Sequence, residues 1–101
     1  MNLKDKIVVI TGAGSGIGAA TAKLFGSHKA IVVVSDINLE SAENVADEIQ
    51  KEGGKAFALE TDVTDFEQVE KLLHTVVDKH GRVDVMVNNA GIGGRQQAKT
   101  A

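Results

Sequence analysis

Cysteine is absent from the 101-residue chain, which excludes disulfides, thiolate nucleophiles and cysteine-ligated metals. Proline, tryptophan and tyrosine are missing as well. Without tyrosine there is no phenol that could move a proton at neutral pH. The net charge is −3 and basic residues form no cluster, so no nucleic-acid surface is indicated. No apolar run approaches the roughly 20 residues of a membrane-spanning helix. The first ten residues, MNLKDKIVVI, carry charges and no small-residue cleavage site, so they read as a first strand rather than a signal peptide. A cytoplasmic protein is expected, with 43% hydrophobic and 25% charged residues as in ordinary globular chains. One domain of this length buries about 65% of its unfolded surface, enough for a modest core.

What is present centres on Lys6 to Gly18, KIVVITGAGSGIG. Ile7 to Ile10 form an apolar run without alternation, the pattern of a parallel strand covered on both faces. A glycine-rich turn follows, and glycines at 12, 14, 16 and 18 let a ligand's phosphates approach the main chain. A helix starting near Ser15 or Gly16 aims its unpaired N–H groups and the positive end of its dipole at the same place. Strand, turn and helix N-terminus together predict an anion cradle. The spacing is G-x-x-x-G-x-G, with Ile17 between the last two glycines.

Beyond the turn, the periodicity predicts a helix from Gly16 to His28 with Ile17, Ala20, Thr21, Leu24 and Phe25 facing the sheet. A second buried strand, Ala30 to Val34, ends in Ser35-Asp36. Asp36 lies 18 residues past Gly18, about where a dinucleotide fold places the carboxylate that binds the adenosine ribose hydroxyls and repels a 2′-phosphate. A helix from Leu39 to Glu52, capped by Asn38, presents Ala42, Val45, Ala46 and Ile49 on one face and stops at Gly53-Gly54. Its acidic residues read as a solvated face. Lys55 to Leu59 is a weakly hydrophobic strand suited to a sheet edge. Thr64 and Glu67 form a capping box for a third helix, about Asp65 to His80, with Phe66, Val69, Leu73, Val76 and Val77 inward. Val83 to Val87 is the fourth strand and ends at Asn88-Asn89-Ala90-Gly91. Alternating strands and helices joined by short loops predict a parallel α/β sheet. The glycine turn, Asp36, Asp62 and Asn88 then share its carboxyl edge, where such sheets bind ligands.

No catalytic residue is assigned. His28 and His80 are placed at helix C-termini, on the edge away from the turn, and His74 in mid-helix. Ser15 has no histidine to activate it, and no cluster has metal-ligand spacing.

The segments TGAGSGIG (11–18), Asp36, Asp62-Val63 and Asn88-Asn89-Ala90-Gly91 together resemble the N-terminal half of a short-chain dehydrogenase/reductase over about residues 1–94. The bacterial 3-oxoacyl-acyl-carrier-protein reductases and sugar or alcohol dehydrogenases are the members it looks most like. The resemblance implies a Rossmann-like sheet of about four strands in the order 3-2-1-4, helices on both faces, truncated relative to a full family member. It implies that Gly12, Ser15, Gly16, Ile17 and Gly18 surround the pyrophosphate and its ribose, Asp36 the adenosine ribose, and Asp62 with Val63 the adenine. Asn88, Ala90 and Gly91 would brace the central strand and line the nucleotide groove. Where the family signals a phosphorylated cofactor with basic residues, this chain has Ser15 and Ile37, which favours NAD over NADP. The family's catalytic tyrosine, lysine and serine belong to a segment beyond residue 101, and the polar stretch 95–101 is expected to be a disordered tail.

Three functions follow as expectations. The first is an NAD-binding module inactive alone. The second is one half of an oxidoreductase completed by a separate C-terminal fragment. The third is a non-catalytic interaction protein using its edge strand. The fourth strand, Val83 to Val87, would lie exposed at that edge and invite self-association.

Overall fold

A computed structural model describes residues 2–89; the calls on Ala90, Gly91 and the tail lie outside the described residues. In chain order the elements are β1 (Ile7–Thr11), α1 (Gly16–Ser27), β2 (Ile31–Asp36), α2 (Leu39–Lys51), β3 (Lys55–Glu60), α3 (Phe66–His80) and β4 (Val85–Asn88). The strands form one parallel sheet in the order β3-β2-β1-β4, as the resemblance implied.

The two non-alternating runs take the central places because both of their faces need cover. Val8, Ile10, Val32 and Val34 point to one side and meet Ala19, Ala22, Val45 and Ile49 of α1 and α2. Ile7, Val9 and Val33 point to the other and meet Leu72 and Val76 of α3. Each such side chain contributes about 1.5–3 kcal/mol on full burial. This two-sided core holds the carboxyl ends of all four strands at one edge. Helix α2 is as expected: Ala42, Val45, Ala46 and Ile49 are buried, and Asn38 caps it by accepting the Ser41 N–H at 3.1 Å.

The other two helices turn a different face inward. In α1 the buried residues are Gly18, Ala19, Ala22 and Gly26, whereas Ile17 and Leu24 are 77% and 59% exposed and Ala20 is exposed. Small residues every fourth position let the helix backbone approach the sheet closely, which a stripe of large aliphatics would prevent; Phe25 is half-buried beside them. In α3 the buried pair is Leu72 and Val76, while Phe66 is 73% exposed, Val77 is exposed, and Val69 and Leu73 are half-buried. The inward face is therefore rotated by about one residue from the expected stripe. The cap moves likewise. Asp65, not Thr64, is the N-cap, accepting the Glu67 N–H at 3.0 Å, because the Thr64 hydroxyl is engaged by the charged Asp62 Oδ1 at 2.6 Å.

Strand β4 begins at Val85 rather than Val83. Asp84 Oδ2 accepts the Ile7 N–H at 2.8 Å, so a side-chain carboxylate stands where a main-chain carbonyl would open the ladder. Arg82 Nε donates to the same oxygen at 2.8 Å. The Ile7 N–H, then Arg82, hold the Asp84 carboxyl below its ordinary value of 3.8. A folded-state pKa below the unfolded one gives stability that is complete above that ordinary value and disappears as pH falls through the lower folded value. Asp84→Asn is therefore expected to flatten the fall in thermal midpoint as pH drops below the ordinary carboxylate value of 3.8. Equal slopes for the two proteins would contradict this assignment.

One buried group works against the core. Ser35 is fully buried in β2, and its hydroxyl has no hydrogen-bond partner among the described residues. An unmet buried hydroxyl costs about 1–3 kcal/mol. Ser35→Ala is expected to raise stability by about 1 kcal/mol and the thermal midpoint by about 4–8 °C; a lower midpoint would mean the hydroxyl is satisfied.

Candidate functional site

The chain leaves β1 at Thr11 and reverses through a turn whose geometry requires glycine twice, at Gly12 (φ 62°) and at Gly16 (φ 58°). Ser15 between them is extended and makes no side-chain cap bond to α1. The first main-chain bond at the head of α1 runs from the Ala19 N–H to Ser15 O at 3.2 Å. The amides of Gly16, Ile17 and Gly18 lie ahead of that ladder, so a helix N-terminus with donors to spare faces the carboxyl edge. Ser15, Gly16 and Ile17 are exposed, whereas Gly18 is buried. A Cβ at position 18 would overlap the Gly12 carbonyl oxygen and stand 2.8 Å from Asn89 Nδ2. The absence of a side chain there is what lets helix and turn close on each other.

The turn is pinned from two sides. The Ala13 N–H donates to Ser35 O at 2.9 Å and the Gly14 N–H donates to Asp36 Oδ2 at 2.8 Å, both on β2. From just past β4, Asn89 Nδ2 donates to Gly12 O at 3.3 Å. Thr11 Oγ1 lies 2.9 Å from Asn88 Oδ1, to which it donates, and accepts the Asn89 N–H at 3.1 Å. Asn88 is thereby hydrogen-bonded to the end of β1. Thr11, Gly14 and Asn89 stand within the motifs read from the sequence but were not among the residues expected to hold the ligand. A buried threonine ending a strand and a second asparagine beside Asn88 are the available signals, but their partners lie 77 or 78 residues away along the chain.

Asp36 ends β2 at the mouth of this turn. Its Oδ1 accepts the Asn38 N–H at 2.9 Å while Oδ2 holds Gly14. A carboxylate has about four lone-pair sites, so roughly two remain for a ligand. Ile37 beside it is 64% exposed. Asp62 and Val63 follow β3 on the same edge, half-buried, linked to the Asp36 segment by the Thr61 N–H to Asp36 O bond of 3.0 Å. The Thr64 hydroxyl, then its N–H, hold the Asp62 carboxyl below the usual carboxylate range. The structure thus gathers Gly12, Ser15, Gly16, Ile17, Gly18, Asp36 and Asn88 around one turn, with Asp62 and Val63 further along the edge.

The histidines lie elsewhere. His28 is the C-cap of α1, His74 is exposed on α3, and His80 ends α3 stacked on Phe57 with ring centroids 5.4 Å apart. Among the described residues no three His, Cys, Asp or Glu stand close enough to hold a metal ion. No helix of the described residues is long and apolar enough to cross a membrane. A cleft of about 450 Å³ lined by Lys23, Gly26, Lys29, Glu48 and Glu52 opens where α1 and α2 end, on the opposite edge. Two helix C-termini and the 2.9 Å Lys23–Glu48 pair make it a poor anion site.

Comparison with known proteins places this edge in a family context. The Escherichia coli K12 7alpha-hydroxysteroid dehydrogenase is 48% identical over 94 residues, 93% of this chain and 37% of that protein. The Bacillus subtilis short-chain dehydrogenase/reductase homolog YusS is 42% identical over 93 residues, covering 91% of this chain and 85% of YusS. Among solved structures, a chain described as a D-mannonate oxidoreductase from Haemophilus influenza, with bound NAD, superposes with TM-score 0.85 at 34% identity, over 95% of this chain and 34% of its own. The chain therefore spans little more than a third of the hydroxysteroid dehydrogenase it matches. Residues 6–101 match the short chain dehydrogenase family, and with the sheet order, the turn and these relatives in agreement, the chain belongs to that family.

Proposed function

We propose that residues 1–94 form the NAD-binding module of a short-chain-dehydrogenase-type oxidoreductase, a module without turnover of its own. The observation that carries this is the Asp36 carboxylate standing at the mouth of the glycine turn and tied to it through the Gly14 N–H. Main-chain amides of Gly12 and of Ser15 to Gly18 receive the pyrophosphate and its ribose, helped by the helix dipole. The free lone pairs of Asp36 accept the adenosine ribose hydroxyls, and its charge repels a 2′-phosphate, so NAD is preferred to NADP. Asp62 and Val63 flank the adenine, and Asn88, Ala90 and Gly91 line the groove beyond. The cofactor, once bound, supplies a nicotinamide that accepts or donates hydride. This chain brings no tyrosine to exchange the accompanying proton, a contribution of about 10²–10⁴-fold where such groups act.

Calorimetry with both dinucleotides tests the proposal: saturable one-to-one binding of NAD, weaker binding of NADP, and no NADH absorbance on mixing chain, NAD and a secondary alcohol. Binding of neither dinucleotide, or turnover by the chain alone, would contradict it.

The β4 edge favours a second property. Among the described strands β4 pairs only with β1, and Met86 on it is 41% exposed. Self-association through 83–87 is expected, and light scattering that showed a clean monomer at tens of micromolar, roughly where such edges associate, would exclude it.

A further inference from the structure

Asp36 is the residue that a 2′-phosphate would meet, yet its carboxylate is not placed by its own strand alone. The Gly14 N–H holds Oδ2 at 2.8 Å and the Asn38 N–H holds Oδ1 at 2.9 Å, so both oxygens are fixed by main-chain donors from two different loops. The space between the turn and the carboxylate is closed. A Cβ at position 14 would stand 2.9 Å from Asp36 Oδ2, 3.0 Å from Asp36 Cγ and 2.8 Å from Ser41 Cβ in the first turn of α2. Ser41 has little room to yield, because its own N–H is bound to the Asn38 cap at 3.1 Å. Gly14 does not have positive φ, so nothing in its backbone conformation demands glycine. What demands it is the position of the carboxylate.

We propose that Gly14 is a specificity-determining residue for the 2′ position of the dinucleotide, acting through Asp36. This rests on the NAD-binding assignment above and adds a second residue to the choice between a ribose hydroxyl and a phosphate. With alanine at 14, the carboxylate must turn away from the Gly14 amide or the turn must lift from β2. Either change moves the acceptor out of line with the ribose hydroxyls and the negative charge away from the 2′ site. Affinity for NAD falls while the penalty on NADP shrinks. Gly14 is a positioning residue and need not touch the ligand.

The test is calorimetry of the unmodified chain, Gly14→Ala, Asp36→Ala and the double variant with NAD and with NADP. Gly14→Ala is expected to weaken NAD about tenfold, the lower end of what hydrogen bonds to a charged group contribute, and to change NADP by less than about threefold. In the Asp36→Ala background the same substitution is expected to leave the NAD to NADP ratio unchanged, because the carboxylate it acts through is gone. Equal weakening of both dinucleotides would mark Gly14 as merely structural and overturn the proposal, as would an unchanged ratio in the single variant. If circular dichroism shows Gly14→Ala unfolded, Gly14→Ala with Ser41→Gly removes the helix contact, keeps the Asp36 one, and is held to the same result. If the unmodified chain binds neither dinucleotide, the NAD-binding assignment falls first and this proposal with it. If it binds NAD well and the ratio in Gly14→Ala is unmoved, only this proposal falls.

Discussion

Gly18→Ala is expected to lower stability by about 3 kcal/mol and to abolish measurable NAD binding, although it adds a single methyl group. The methyl would overlap the Gly12 carbonyl oxygen and lie 2.9 Å from the Gly12 carbonyl carbon and 2.8 Å from Asn89 Nδ2. Two of those three atoms are backbone, and the third is the amide that itself holds Gly12 O. None can yield without moving the turn. Overpacking a well-filled site costs about 1–3 kcal/mol, and a backbone clash lies at the upper end. For a domain of this size that corresponds to a thermal midpoint lower by roughly 12 °C or more. Lifting α1 from β1 also carries the Gly16 and Ile17 amides away from the place where a pyrophosphate would sit. Thermal unfolding followed by circular dichroism and NAD calorimetry check both halves, and a variant with unchanged midpoint and affinity would contradict the packing described.

Asp36→Ala is expected to weaken NAD by roughly 10- to 150-fold, since hydrogen bonds to a charged group contribute about 1.5–3 kcal/mol. Two effects add. The ribose loses its acceptor, and the Gly14 and Asn38 N–H groups lose the carboxylate that fixes them. The second effect loosens the turn itself, so pyrophosphate contacts weaken with those of the ribose. NADP is expected to lose less, because removing the carboxylate also removes repulsion of its 2′-phosphate. Calorimetry with both ligands checks this, and equal affinity of the variant and the unmodified chain for NAD would show that Asp36 does not face the ribose.

Much of the fold was legible because its signals are local. The unbroken apolar runs at Ile7–Ile10 and Ala30–Val34 announce central strands, and the capping asparagine, the stripe and Gly53-Gly54 bracket α2. What misled was hydrophobic periodicity in α1 and α3. Size, rather than hydrophobicity, selects the inward face of α1, where Gly18, Ala22 and Gly26 admit close contact and Ile17 and Leu24 are left outside. In α3 two overlapping stripes compete, and only packing against Ile7, Val9 and Val33 selects Leu72 over Leu73. The Thr64 cap failed for a similar reason, since a carboxylate two residues earlier took its hydroxyl. At the site, the glycines and Asp36 were visible as spacing. The links that make them one unit, Gly14 to Asp36 and Asn89 to Gly12, join residues 22 and 77 positions apart and needed the fold to become visible.

The central claim is that a dinucleotide lies across the carboxyl edge with its diphosphate on the amides of the glycine turn. Titrating NAD into the isotopically labelled chain and following backbone amide resonances tests it most directly. The largest shifts are predicted at Gly12 and Ser15 to Gly18, with further shifts at Asp36, Ile37, Asp62 and Val63. Shifts confined to the Lys23–Glu52 cleft on the opposite edge, or no shifts at millimolar NAD, roughly the weakest affinity worth calling a site, would contradict it.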